Sequence, residues 1–179
     1  VMHAQRRLIA SSKQYLQMDL NRYHFDTWIV YLARLFPKKG QKRALELWKC
    51  IDPMLRRQSL LLLVGPASSS EYAAELSAQA AMVPDSERVM FVGETKEPVS
   101  WLAAADMFLS CSEYEGMPLG PLEAAGSGVP CVLSDIPGHR LLEGFAEFLP
   151  FSENDAVICL EKLIRKVQRS PDQFRSKLW

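Results

Sequence analysis

Short apolar runs alternating with helix-patterned segments predict an α/β fold: a Rossmann-like three-layer sandwich on a parallel sheet of about six strands. Three observations carry that reading. The first strand-like runs, 28–33 (WIVYLA) and 60–64 (LLLLV), are apolar throughout instead of alternating, which suits strands buried on both faces. The segments between such runs repeat apolar residues at helical spacing. The chain has 179 residues, 48% hydrophobic and 23% charged, enough for one globular domain with a sizeable core.

The elements follow in order. After the run 28–33, residues 41–51 place Ala44, Leu47, Trp48 and Ile51 on one helical face, and Pro53 is expected to end or kink that helix. The run 60–64 is stopped by Gly65 and Pro66. Ser68, Ser69 and Ser70 offer cap hydroxyls to a helix over 71–81. A third strand is predicted over 89–92, before Gly93. A short helix near 99–105 leads into a fourth strand at 107–109. A helix after Gly120 precedes a fifth strand at 129–133, and 147–149 reads as a sixth. Ala156, Cys159, Leu160, Leu163, Ile164 and Val167 mark an amphipathic helix over 155–167. Such a fold binds its ligands at the carboxyl ends of the strands. Residues 1–26 fit this pattern less well. They hold a basic, mildly amphipathic stretch with Arg6, Arg7 and Lys13, and read as a linker or the remnant of an upstream domain, with 27–179 as the folded domain.

Composition excludes several classes. Formal net charge is zero, which argues against a nucleic-acid partner that needs a basic field. No apolar run approaches the ~20 residues of a membrane span. Residues 1–10 lack the apolar core of a signal peptide. The four cysteines, Cys50, Cys111, Cys131 and Cys159, form no C-x-x-C pair and read as reduced cysteines of a cytosolic protein.

The chemistry concentrates in residues 113–135. Glu115 and Glu123 stand eight positions apart, around a Gly- and Pro-rich turn that feeds a helix. A helix N-terminus gathers unpaired N–H groups at the positive end of its dipole, where a phosphate can sit. An ionised Glu is acceptor-only and takes hydrogen bonds from sugar hydroxyls. An anion cradle flanked by hydroxyl acceptors suits a nucleotide-sugar. On the residues alone, Arg34 and Lys39 could equally be solvated surface cations, and Glu123 could simply favour the first turn of a helix.

Six motifs in order extend the reading. Residues 33–40 (ARLFPKKG) resemble the pattern G-R-L-x-x-x-K-G, and 62–65 (LLVG) the strand end L-L-V-G. Residues 89–93 (VMFVG) resemble V-x-F-x-G, and 102–109 (LAAADMFL) contain A-A-D-x-F-L. Glu115 to Glu123 matches Glu, seven residues, Glu; Gly128-Val129-Pro130 with Ser134-Asp135 follows. In these motifs the chain resembles the C-terminal, donor-binding domain of family 4 (group 1) retaining glycosyltransferases with the two-domain GT-B fold. The match runs from about Thr27 to Val167.

The resemblance implies a donor half that helps move a sugar from a nucleoside-diphosphate sugar to a glycan, lipid or other acceptor. It places Arg34 and Lys39 on the donor diphosphate and Glu115 on the donor sugar. Glu123 falls on the ribose hydroxyls, the backbone of Gly116, Met117, Pro118 and Leu119 along sugar and phosphate, and Gly93 and Glu94 beside the base. Binding of a bare diphosphate is then expected to need Glu123 and to be nearly indifferent to Glu115. No cofactor and no metal are implied; the substrate is a UDP-, GDP- or ADP-sugar. The implied partner is an N-terminal acceptor-binding domain absent from this chain, with the segment after Pro171 running toward it. Localisation is expected to be cytoplasmic, with room for peripheral membrane association through that domain.

Two positions depart from the family pattern. Pro118 stands where Gly is usual and removes a backbone donor; Ala33 replaces the common Gly before Arg34. His139, in 137–140 (PGHR), reads as structural or exposed rather than catalytic. Two other readings stay open: half of a non-hydrolysing nucleotide-sugar epimerase, and a nucleotide-binding module without turnover.

Overall fold

The computed structural model describes residues 2–11, 14–23 and 26–169. Its centre is a six-stranded sheet in the order β3-β2-β1-β4-β5-β6. The strands are β1 (Thr27–Leu32), β2 (Ser59–Val64), β3 (Val89–Gly93), β4 (Met107–Ser110), β5 (Cys131–Ser134) and β6 (Ala146–Leu149). Every neighbouring pair is parallel. The expected α/β three-layer architecture is therefore present.

Side chains alternate across the sheet, as the two-residue period of a strand requires. Ile29, Tyr31, Leu61 and Leu63 join one buried cluster; Trp28, Val30, Leu60 and Leu62 join the other. The first cluster is covered by α2 (Gln41–Cys50), α3 (Pro53–Arg57), α4 (Ser70–Ala81) and α7 (Glu153–Arg169). The second is covered by α1 (Met2–Ser11), α5 (Pro98–Ala104) and α6 (Leu119–Gly126). No helix among the described residues is long and apolar enough to cross a membrane.

Local chemistry explains most boundaries. Ser69 caps α4, its hydroxyl accepting from the Tyr72 N–H at 3.2 Å. Pro53 neither ends nor kinks a helix from inside. The α2 helix stops at Cys50, the Asp52 carboxylate accepts from the Met54 and Leu55 N–H groups, and Pro53 opens α3, where its missing N–H costs nothing. The fifth strand starts at Cys131 rather than Val129, because the Val129 N–H turns back to the Ala124 carbonyl and Pro130 has no N–H.

Residues 1–26 hold a feature the sequence pattern does not show. Ile9 and Ala10 of α1 are buried with Tyr15, Leu20 and Tyr23 against α5 and β1. Arg6, part of the basic stretch, is only 1% exposed. Its guanidinium pairs with the Asp106 carboxylate and donates to the carbonyls of Ala104 (3.0 Å) and Asp26 (2.9 Å). It also lies 4.7 Å from the Trp28 ring centroid. Asp106 accepts in turn from the Trp28 N–H at 2.7 Å. Lys13 and the segment after Pro171 lie outside the described residues.

Removing one partner of a buried ion pair leaves the other without its counter-charge. Arg6→Met is therefore expected to destabilise the chain by about 3–5 kcal/mol. Urea unfolding followed by circular dichroism checks it; a loss within experimental error would mean that α1 adds little to the fold.

Candidate functional site

Strand order reverses between β1 and β4: the chain runs from β1 outward to β3, then returns to the other side of β1. The loops that leave β1 and β4 diverge at this switch point and open a crevice at the carboxyl end of the sheet. A cleft of about 390 Å³ lies there, with Arg34, Lys39, Ser110, Glu115, Met117 and Leu119 in its walls.

The two loops are stitched together from below. Tyr31, near the end of β1, donates its hydroxyl to the Lys39 carbonyl and accepts from the Cys111 N–H at 2.7 Å. Burial pushes this phenol well above its usual pKa, so it stays protonated and able to donate. The Glu113 N–H reaches the Lys38 carbonyl at 2.9 Å. Gly40 has φ +71°, and a Cβ there would sit 1.9 Å from the Cys111 carbonyl oxygen. Only glycine allows that approach. The Gln41 side chain holds the Arg34 carbonyl at 2.9 Å, and the Leu35 N–H holds Pro66 at 2.9 Å.

Charges meet on this frame. Lys39 Nζ contacts both carboxylate oxygens of Glu115, at 2.8 and 2.7 Å. Ser112 Oγ donates to Glu115 Oε1 at 2.7 Å, and Ser110 Oγ stands 3.2 Å from Ser112 Oγ. Ser134 Oγ donates to the Ser112 carbonyl. Behind it His139 is fully buried, with Nδ1 2.8 Å from the Ser134 carbonyl. A carbonyl only accepts, so Nδ1 carries the proton. Gly138 packs against Glu115, where a Cβ would lie 2.2 Å from its carbonyl oxygen.

The sequence-derived site residues thus divide into groups. Arg34, Lys39, Glu115, Met117 and Leu119 share the cleft. Arg34 is exposed, and its guanidinium has no ion-pair partner among the described residues. Gly93 and Glu94 sit at the end of β3, two strands from β1. The Gly93 carbonyl accepts from the Gly65 N–H, and the Glu94 carbonyl from Gln14 at 2.8 Å. Gly116 is exposed on the loop; Glu123 is exposed on α6 and does not line the cleft. Pro118 is buried at the N-cap of α6. Its missing N–H is joined by that of Pro121, and the Leu119 N–H is turned toward the Met117 carbonyl at 3.0 Å. Pro118 and Pro121 bring no N–H and that of Leu119 is taken, so this helix start offers few backbone donors, Gly120 among them, and the cations at the cleft are the side chains of Arg34 and Lys39.

Sequence reasoning missed Tyr31, Ser110, Ser112, Gly138 and Gln41. Two signals were available: a tyrosine hydroxyl in an otherwise apolar run, 28–33, and a serine three residues before Glu115. His139 takes its structural option and is buried. Burial likewise pushes the Cys111 and Cys131 thiols up to about 12, while Cys50 is exposed and Cys159 half-buried.

Residues 16–158 match the family Glycosyl transferases group 1, and the chain belongs to that family. The lipopolysaccharide core biosynthesis mannosyltransferase LpsB of Rhizobium meliloti (strain 1021) is 37% identical over 65 residues, 36% of this chain and 18% of that protein. The crystal structure of Anabaena Alr3699/HepE in complex with UDP and glucose matches with a TM-score of 0.75 at 21% identity, over 94% of this chain and 46% of that one. WaaG, described as a glycosyltransferase involved in lipopolysaccharide biosynthesis, matches with a TM-score of 0.74 at 19% identity, over 97% and 47% of the two chains. The structural likeness is one of fold, and this chain spans less than half the length of either structure.

Two outcomes follow from the stitching. Tyr31→Phe leaves the buried Cys111 N–H and the Lys39 carbonyl without their shared partner, and is expected to cost about 1–3 kcal/mol in chemical denaturation. His139 gives a pH dependence. Burial holds its pKa below the usual 6.5, with the Ser134 carbonyl and Glu115 pulling the other way. The folded ring therefore stays neutral at a pH where the unfolded chain already takes up a proton. Its contribution is complete above pH 6.5 and is lost as pH falls through the lowered folded value. Melting temperatures between pH 7.5 and 5 should fall on the acid side, and less steeply in His139→Gln.

Proposed function

We propose that this chain is the donor half of a retaining glycosyltransferase. It holds a nucleoside-diphosphate sugar at the carboxyl ends of β1 and β4, and an N-terminal Rossmann-like domain supplies the acceptor across the cleft. The observation that carries the reading is the exposed Arg34 beside the Lys39–Glu115 pair in one cleft, in a chain of the group 1 family. Family membership favours transfer over epimerisation.

Roles follow from chemistry. Arg34 presents a planar fork to phosphate oxygens and Lys39 a mobile point charge. As the sugar leaves, negative charge grows on the phosphate oxygen of the breaking bond. Cations already placed there stabilise it without a divalent metal. Glu115 accepts from sugar hydroxyls. Gly116 to Leu119 run along sugar and phosphate, Glu123 takes the ribose hydroxyls, and Gly93 with Glu94 borders the base. HepE was crystallised with UDP and glucose, which supports testing a uridine donor first. LpsB acts in lipopolysaccharide core biosynthesis by its name, which supports a glycan or lipid-linked acceptor; a cytoplasmic site at a membrane face is part of the same proposal. In this reading the donor domain takes in α1, which packs on α5 and pairs Arg6 with Asp106, together with the residues from Thr27 onward.

A thermal-shift and calorimetry panel of UDP, GDP and ADP tests it, since a ligand of the folded state raises apparent stability. One diphosphate should bind, weakly because half of the cleft is missing. Arg34→Ala should weaken it roughly ten- to a hundredfold, the worth of a charged hydrogen bond. No response to any of the three at millimolar concentration would overturn the reading.

A further inference from the structure

We propose that the Lys39–Glu115 ion pair is a latch by which the site distinguishes a sugar-bearing nucleotide from the bare diphosphate. The inference rests on the nucleotide-sugar reading above and assigns that site a means of discrimination.

Lys39 has three N–H donors, and both Glu115 oxygens lie within 2.8 Å of its ammonium. The Glu115 side chain is only 7% exposed, and Ser112 fixes its Oε1. The loop backbones cannot separate the pair easily, because the Lys38 carbonyl is bonded to the Glu113 N–H and the Tyr31 hydroxyl bridges Lys39 to Cys111. What can move is the four-carbon stem of Lys39, whose side chain is 31% exposed.

A bare diphosphate meets Arg34 free of ion pairing but Lys39 already neutralised. To use Lys39 it must strip a largely buried carboxylate of its counter-charge, which is costly. Otherwise it shares an ammonium held against a carboxylate that repels it. A sugar on the same diphosphate changes the exchange. Its hydroxyls donate to Glu115, which as a carboxylate is acceptor-only. Glu115 then gives up Lys39 for the hydroxyls, and the released ammonium turns to the phosphates. Sugar contact and phosphate contact are thereby coupled, and the coupling is reciprocal. Once the sugar has gone to an acceptor, Lys39 returns to Glu115 and the spent diphosphate is held less tightly. On this view Glu115 does bear on binding of the bare diphosphate, by opposing it.

Calorimetry on the 179-residue chain tests this with UDP, GDP and ADP and with UDP-, GDP- and ADP-glucose. In the unaltered chain the sugar nucleotide should bind tighter than its bare diphosphate by about five- to a hundredfold, the usual range of such coupling. Glu115→Gln, checked for folding by circular dichroism, should tighten the bare diphosphate and weaken the sugar nucleotide, so that the ratio collapses toward one. An unchanged or weakened diphosphate affinity in Glu115→Gln would overturn the latch. Lys39→Met alone gives an independent reading: it should cost the sugar nucleotide more than the bare diphosphate, and equal losses overturn the proposal. Failure of every ligand to bind the unaltered chain would refute the donor-site reading itself, and the latch with it.

Discussion

The contact between β1 and β4 has the shortest ladder in the sheet, and the candidate site is built at its carboxyl end. Its ladder has two paired positions, Ile29 with Met107 and Val30 with Phe108, against six between β1 and β2. Backbone pairing alone would leave this seam short. Side chains clamp it at both ends. At the amino end Asp106 accepts from the Trp28 N–H and is neutralised by Arg6. At the carboxyl end the Tyr31 hydroxyl accepts from the Cys111 N–H and donates to Lys39. The seam must diverge to make a crevice, and these two clamps let it diverge while staying in register.

The clamps also explain why α1 belongs to the described fold. Arg6 reaches from α1 under the sheet to Asp106, Ala104 and Asp26, so the amino-terminal helix closes the end of the seam opposite the cleft. Trp28 and Trp101 stack at 6.3 Å between centroids, and Tyr15 meets Trp101 edge-on at 5.0 Å. A buried guanidinium is tolerable here because its partners are a carboxylate, two carbonyls and an aromatic face.

At the cleft itself, side chains carry the formal charge. Prolines at 118 and 121 remove backbone donors from the start of α6, and Leu119 turns its N–H to Met117. Arg34 and the Lys39–Glu115 pair hold most of the charge. The serines at 110, 112 and 134, with His139 behind them, fix the carboxylate from the buried side and leave the cations facing the opening. Glu123, Gly93 and Glu94 lie outside the cleft wall that holds Arg34, so a nucleotide that touched all of them would extend across the carboxyl ends of several strands.

All six strands, and every helix from Gln41 to Arg169 except α3, were legible in local pattern. Short, fully apolar runs such as LLLLV, stopped by Gly65 and Pro66, suit strands buried on both faces, and Ser69 marks a helix start by its own chemistry. Arg34, Lys39, Glu115, Met117 and Leu119 of the cleft were legible because their spacing follows a family pattern, whereas Ser110 was not. Pattern says nothing, however, about which distant groups meet. Arg6 reads as a surface cation, since burial of its charge depends on Asp106, a hundred positions away. Pro53 reads as a breaker until Asp52 is seen capping a second helix. The Lys39–Glu115 pair, the Tyr31 bridge and the fit of Gly40 against Cys111 all arise from two loops that are far apart in sequence. Only closure of the sheet brings those loops within hydrogen-bonding distance. Secondary structure follows from periodicity within a few turns of chain; ion pairing and desolvation depend on neighbours in space, and those are set by the fold.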